Sequence, residues 1–165
     1  MQRCYPNHDG FTLLETVVAT GILVTALAGI AQLLALSVRT TRDAGSQAAA
    51  LTAAEDKIEA LRALAFTFDP VGAPVTDPGL ALRSGVSLDQ DTAGLADHVD
   101  AAGVVVDADL DDSGAVFTRR WRLTPIDLFV PEALVVEVCV FRWPSGDLPL
   151  RAAEACLATV RVRQP

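Results

Sequence analysis

Residues 11–38 read FTLLETVVATGILVTALAGIAQLLALSV, an apolar run that carries one charged side chain, Glu15. A helix needs roughly 20 apolar residues to cross the hydrocarbon core of a bilayer, so this run is long enough to span. That leaves few folds open: residues 11–38 form a transmembrane helix, and any globular structure is built from the rest of the chain. A secretory signal fits poorly. Its apolar core is about 7–15 residues long behind a basic stretch. Here Pro6, Asp9 and Gly10 precede the run, the run is longer, and a carboxylate interrupts its start.

Glu15 is the feature that an ordinary membrane anchor does not explain. The apolar run begins a helical turn earlier, at Phe11, so the carboxylate lies inside the apolar layer, where burial costs a few kcal/mol without a partner. No Lys or Arg occurs between Arg3 and Arg39. The nearby cation that can be made is a new α-amino group, released by cutting the chain before Phe11.

The stretch Asp9-Gly10-Phe11-Thr12-Leu13-Leu14-Glu15 and its long apolar continuation are similar to the N-terminal signature of type IV prepilins and type II secretion pseudopilins. That signature is a short polar leader ending in Gly, then Phe-Thr-Leu-(Leu/Ile)-Glu. The resemblance covers residues 7–66, and the remainder matches in general layout. It implies that a prepilin peptidase cuts between Gly10 and Phe11 and N-methylates Phe11, whose amine stays cationic. Gly10 suits the narrow space beside the scissile bond because it has no side chain. The resemblance further implies that Glu15 attracts the Phe11 amine of its own or a neighbouring subunit. In low dielectric that attraction is far stronger than in water and helps set the axial stagger of subunits.

Two departures from the family pattern bear on the reading. The charge bias across the segment is weak, with Arg3 on one side and Arg39 and Arg42 on the other, so orientation rests on the motif. No proline lies between Pro6 and Pro70, whereas many major pilins carry one in the membrane helix. Ala54–Leu64 (AEDKIEALRAL) resembles the minor-pilin group called V in pili and I in type II secretion. The implied function is therefore a minor pilin or pseudopilin that helps prime or cap assembly of a pilus or pseudopilus. Its implied partners are the prepilin peptidase, other minor and major subunits, and the bacterial inner membrane. There the chain would be single-pass with its C-terminal domain in the periplasm. The alternative is a filament-tip adhesin or calcium-dependent binding module.

The formal net charge is −8. Arg3 cancels Asp9, and Arg39 with Arg42 cancels Glu15 with Asp43, so the whole of it falls on residues 44–165. An acidic domain repels a phosphate backbone, and nucleic acid is not an expected partner. Beyond a leader over 1–10 and the transmembrane segment 11–38, the pattern predicts an amphipathic helix over 39–68, loops over 69–114 and an antiparallel sheet over 115–165. In the helix, Leu51, Ala54, Ile58, Leu61, Ala65 and Phe68 make one apolar stripe, and Glu59 and Arg62 stand one turn apart elsewhere. Pro70, Pro74 and Pro78 end it near Phe66. Residues 79–115 lack periodicity, and Gly103–Asp107 is the best local strand candidate. Ala115–Leu123, Leu134–Trp143 and Cys156–Arg163 alternate or are rich in β-branched residues, with turn chemistry at Pro144–Asp147. The predicted fold is α+β and type IV pilin-like: a long helix, half transmembrane and half amphipathic, laid on a three-strand meander.

Three sets of residues invite chemistry. Cys139 and Cys156 fall on adjacent strands of the last hairpin, where pairing brings them close; a disulfide there, or two buried thiols, fits the pattern. Many pilins close this region with a disulfide, and the resemblance favours the bond. Asp107, Asp109 and Asp111 alternate as a calcium loop does, but Asp112 stands where such a loop has glycine and Thr118 where it has glutamate, so a solvated acidic turn is expected. His98 is expected as an exposed loop histidine. No triad, nucleophile elbow or glycine-rich phosphate loop is visible, so neither enzymatic activity nor a cofactor is expected.

Overall fold

The computed structural model describes residues 12–107, 114–127, 132–143 and 152–165. The architecture is α+β, with one long N-terminal helix, α1 (Leu13–Ala63), packed against a small antiparallel sheet. The chain divides into two compact units, Met1–Asp43 and Ala44–Pro165.

In the first unit, every described residue of α1 is exposed. The helix is long and apolar enough to cross a membrane. Its threonines hide their polarity within the helix. Thr20 Oγ1 donates to Thr16 O at 2.6 Å, and Thr25 Oγ1 donates to Gly21 O at 3.0 Å. A hydroxyl bonded back to the preceding turn leaves little to hydrate, which suits a helix in hydrocarbon.

In the second unit α1 buries Ala50, Ala53, Ala54, Ile58 and Leu61. The alanines let the helix approach the sheet closely, and Ile58 and Leu61 fill the space between, each contributing about 1.5–3 kcal/mol by burial. The predicted stripe is displaced at both ends. Ala50 is buried where Leu51 was expected, and Leu51 is exposed. The helix stops at Ala63 rather than near Phe66, because the chain turns into a strand pair: β1 (Phe66–Phe68) and β2 (Pro74–Thr76). The Asp69 side chain closes their turn by accepting from the Val71 and Ala73 N–H groups. Gly72 in the same turn has φ of 83°, a conformation that favours glycine.

The main sheet comprises β3 (Ala96–Val99), β4 (Val105–Val106), β5 (Phe117–Pro125), β6 (Ala133–Arg142) and β7 (Ala155–Val162). Its strand order is β4-β3-β5-β6-β7, antiparallel throughout. The meander expected from the sequence is β5-β6-β7; β3 and β4 extend it on one side. The face toward α1 carries Phe117, Trp121, Leu123, Leu134, Val136, Val138 and Val140. On the opposite face Leu88, Cys139 and Phe141 form a second, smaller cluster. The connection before β3 is held there by Arg120, which is 1% exposed. It donates to Asp91 Oδ1 at 2.7 Å and to the Asp89 carbonyl at 2.8 Å, and lies over the Phe141 ring.

Candidate functional site

The sequence-predicted assembly residue, Glu15, stands in the first turn of α1. Its backbone N–H donates to Thr12 Oγ1 at 3.3 Å, so Thr12 caps the helix and Thr12-x-x-Glu15 has the spacing of a capping box. A carboxylate in the first turn also faces the positive end of the helix dipole. Among the described residues the Glu15 carboxylate has neither an ion-pair nor a hydrogen-bond partner. From Leu13 to Val38 it is the single charged group, with exposed Leu13, Leu14, Val17 and Val18 around it. Thr12 was not foreseen in this role from the sequence; its signal is a Thr three residues before a Glu at the start of an apolar run.

Gly10 and Phe11, the predicted cleavage pair, lie outside the described residues, as do Asp109, Asp111 and the Pro144–Asp147 turn. Asp107 follows β4. Among the described residues no group of three or more His, Cys, Asp or Glu side chains is placed to hold a metal ion. His98 departs from expectation. It lies on β3 and is half-buried, with Nδ1 3.1 Å from Thr118 Oγ1 and its ring edge-on to Trp143 at 4.5 Å between centroids.

Cys139 and Cys156 are directly opposed in the β6–β7 register and form a disulfide. Cys139 is buried and Cys156 is exposed. The bond ties the edge strand β7 to its neighbour β6.

Two further polar constellations went unforeseen, and both join α1 to the sheet. In the first, Asp97 of β3 receives Arg119 Nε at 2.7 Å, Arg119 Nη2 at 3.0 Å and Lys57 Nζ at 2.9 Å. Arg119 Nη1 also reaches the Ala53 carbonyl of α1 at 3.3 Å, and Lys57 sits 3.5 Å above the Trp121 ring. The signal was an arginine at an inward position between Phe117 and Trp121, which requires a buried acid. In the second, Arg161 of β7 donates to the Leu61 and Leu64 carbonyls at the end of α1. Arg163 donates to the Thr67 and Val75 carbonyls and lies over the Phe66 ring. Burial, reinforced by the nearby Arg62 charge and opposed by Asp77, holds Arg161 below the ordinary arginine pKa.

The chain matches no family model, no curated protein and no solved structure. On its own geometry it is an α+β protein with, among the described residues, one candidate membrane-spanning helix near its N-terminus and a disulfide-bonded sheet.

Proposed function

We propose that the chain is a minor pilin or pseudopilin, a structural subunit that helps prime or cap a type IV pilus or type II secretion pseudopilus. In this reading prepilin peptidase cuts between Gly10 and Phe11 and methylates the new amine. The single-pass chain then waits in the inner membrane with its sheet in the periplasm. From there it enters a filament of minor and major subunits. The observation that carries the reading is Glu15: a carboxylate without a partner among the described residues, in the first turn of an otherwise uncharged apolar stretch. The capping-box spacing suits Glu15 to a helix start, but among the described residues its carboxylate makes no return bond to Thr12, and a threonine cap alone serves a helix at much lower cost in lipid. A cationic Phe11 amine supplied by a neighbouring subunit removes that cost and makes association depend on cleavage. The protein acts as scaffold, with no catalytic step and no cofactor.

The test is Glu15→Ala in a host that assembles the filament. The variant is expected to be cleaved and inserted normally and to be depleted from sheared filaments about tenfold or more. Incorporation at the wild-type level would remove the role given to Glu15.

A further inference from the structure

Strand β7 is an edge. It pairs with β6 on one side, and among the described residues no named strand pairs with Ala155–Val162 on the other. In an antiparallel ladder, successive residues turn their main-chain groups to opposite sides. Arg163 N–H bonds the Glu132 carbonyl on the β6 side. Gln164 faces the other way: its N–H bonds the Phe66 carbonyl, and its carbonyl accepts from Phe68 N–H. By the same alternation Val162, Val160 and Ala158 aim their N–H and C=O groups at the open side. Thus β1 occupies the outer edge at Gln164 and goes no further. Beside Val160 and Val162 the edge borders a cavity of about 730 Å³, whose other walls include Glu59, Arg62 and Leu64 at the end of α1.

Most natural edge strands are blunted by prolines, inward charges or bulges. β7 has no proline; its one charge, Arg161, is turned toward the end of α1, and Val160 and Val162 are exposed on the strand. The cavity is also cationic in a region that carries a charge of −8. Arg62, Arg161 and Arg163 line it, against one acidic side chain, Glu59. Glu59 is paired with Arg62 at 3.2 Å. Arg161 and Arg163 meet carbonyls and the Thr76 hydroxyl, and neither has a carboxylate ion-pair partner among the described residues. The chemistry that complements three arginines beside a strand edge is a carboxylate side chain carried on an extended backbone. The β7 edge of a second copy cannot supply one, since ACLATVRV contains no acid.

We propose that the open edge of β7 accepts an extended acidic segment of a partner polypeptide as an added strand, with a carboxylate side chain entering the Arg62–Arg161–Arg163 cavity. Main-chain hydrogen bonds supply affinity, as in other strand additions, and the guanidiniums select the acid. The inference uses only residues of the second unit and stands or falls separately from the role of Glu15.

The experiment uses the full chain in detergent micelles and fluorescence anisotropy with labelled synthetic peptides. The probe is Thr-Val-Glu-Val-Glu-Val-Thr; the comparison peptide carries Gln at both Glu positions. The acidic peptide is expected to bind saturably and at least about tenfold more tightly than the Gln peptide. Arg62→Gln, at an exposed side chain, is expected to weaken it about fivefold. Val160→Pro removes an outward N–H without touching the β6 ladder, and is expected to abolish binding. Equal affinity for both peptides, or unaltered binding to Val160→Pro, overturns the proposal. Should Val160→Pro unfold, a probe N-methylated on alternate amides replaces it; wild-type protein binding that probe as tightly as the parent is again a refutation. Self-association of the wild type that the acidic peptide does not compete would make a second copy the occupant and overturn the choice of partner.

Discussion

Replacing Asp97 by Asn keeps the side chain's shape and removes its charge. In the folded protein Asp97 is the acid shared by Lys57 and Arg119, whose side chains are 16% and 6% exposed. Three short charge-assisted hydrogen bonds converge on it. Without the charge, two cations remain between α1 and the sheet with neutral acceptors only. Breaking a buried ion pair from one side costs about 3–5 kcal/mol, because the stranded charge keeps its desolvation penalty. Two cations are stranded here, but Lys57 retains the Trp121 face and Arg119 the Ala53 carbonyl, so the expected loss is about 3 kcal/mol. For a unit of this size that corresponds to a fall in Tm of roughly 10 °C. The assay is thermal and guanidinium unfolding of the full chain in micelles, followed by tryptophan fluorescence, since Trp121 and Trp143 both lie in the second unit. A triple variant, Lys57→Met with Asp97→Leu and Arg119→Met, is expected to regain most of the loss, as apolar replacements of buried ion clusters commonly do. A loss below about 1 kcal/mol for Asp97→Asn would refute the assignment of this cluster as the lock between helix and sheet.

The remaining expectations concern the disulfide and the processing site. Changing Cys139 to Ala and Cys156 to Ser together opens a loop with a sequence separation of 17 and is expected to cost about 3 kcal/mol. Unfolding midpoints with and without reductant check this, and a midpoint that ignores reductant would contradict it. Gly10→Val places a branched side chain beside the proposed scissile bond. The variant is expected to accumulate uncleaved in membranes, as read by a gel shift against the wild type; efficient maturation would move the cut site elsewhere.

The sheet was legible where burial imposes alternation. On β5 and β7 the period of two placed each strand to within about two residues, and β6 was legible from its run of Val, Cys and Phe. The opposition of Cys139 and Cys156 followed from the hairpin. β3 was not legible, because Ala96–Val99 reads ADHV. Asp97 and His98 disfavour strands locally, and both find their partners only in tertiary structure, on Arg119, Lys57 and Thr118. The end of α1 was misplaced for a similar reason. Local composition favours helix to Phe66, yet Arg161, distant in sequence, takes the last carbonyls and the chain departs at Leu64. Glu15 was legible as an anomaly because lipid makes a lone carboxylate costly. Arg161 and Arg163 were not, because alternation alone cannot say which face of a strand will be covered; Arg119 stood out between Phe117 and Trp121, but its acid, Asp97, lies on the strand the sequence did not show.

The central claim is that this chain is cut after Gly10 so that a charged terminus becomes available to Glu15. Mass spectrometry of the N-terminal peptide, from protein purified out of a host carrying prepilin peptidase, addresses it directly. The account predicts a mature chain beginning with N-methylated Phe11. A chain that retains Met1 through Gly10 in that host would contradict it.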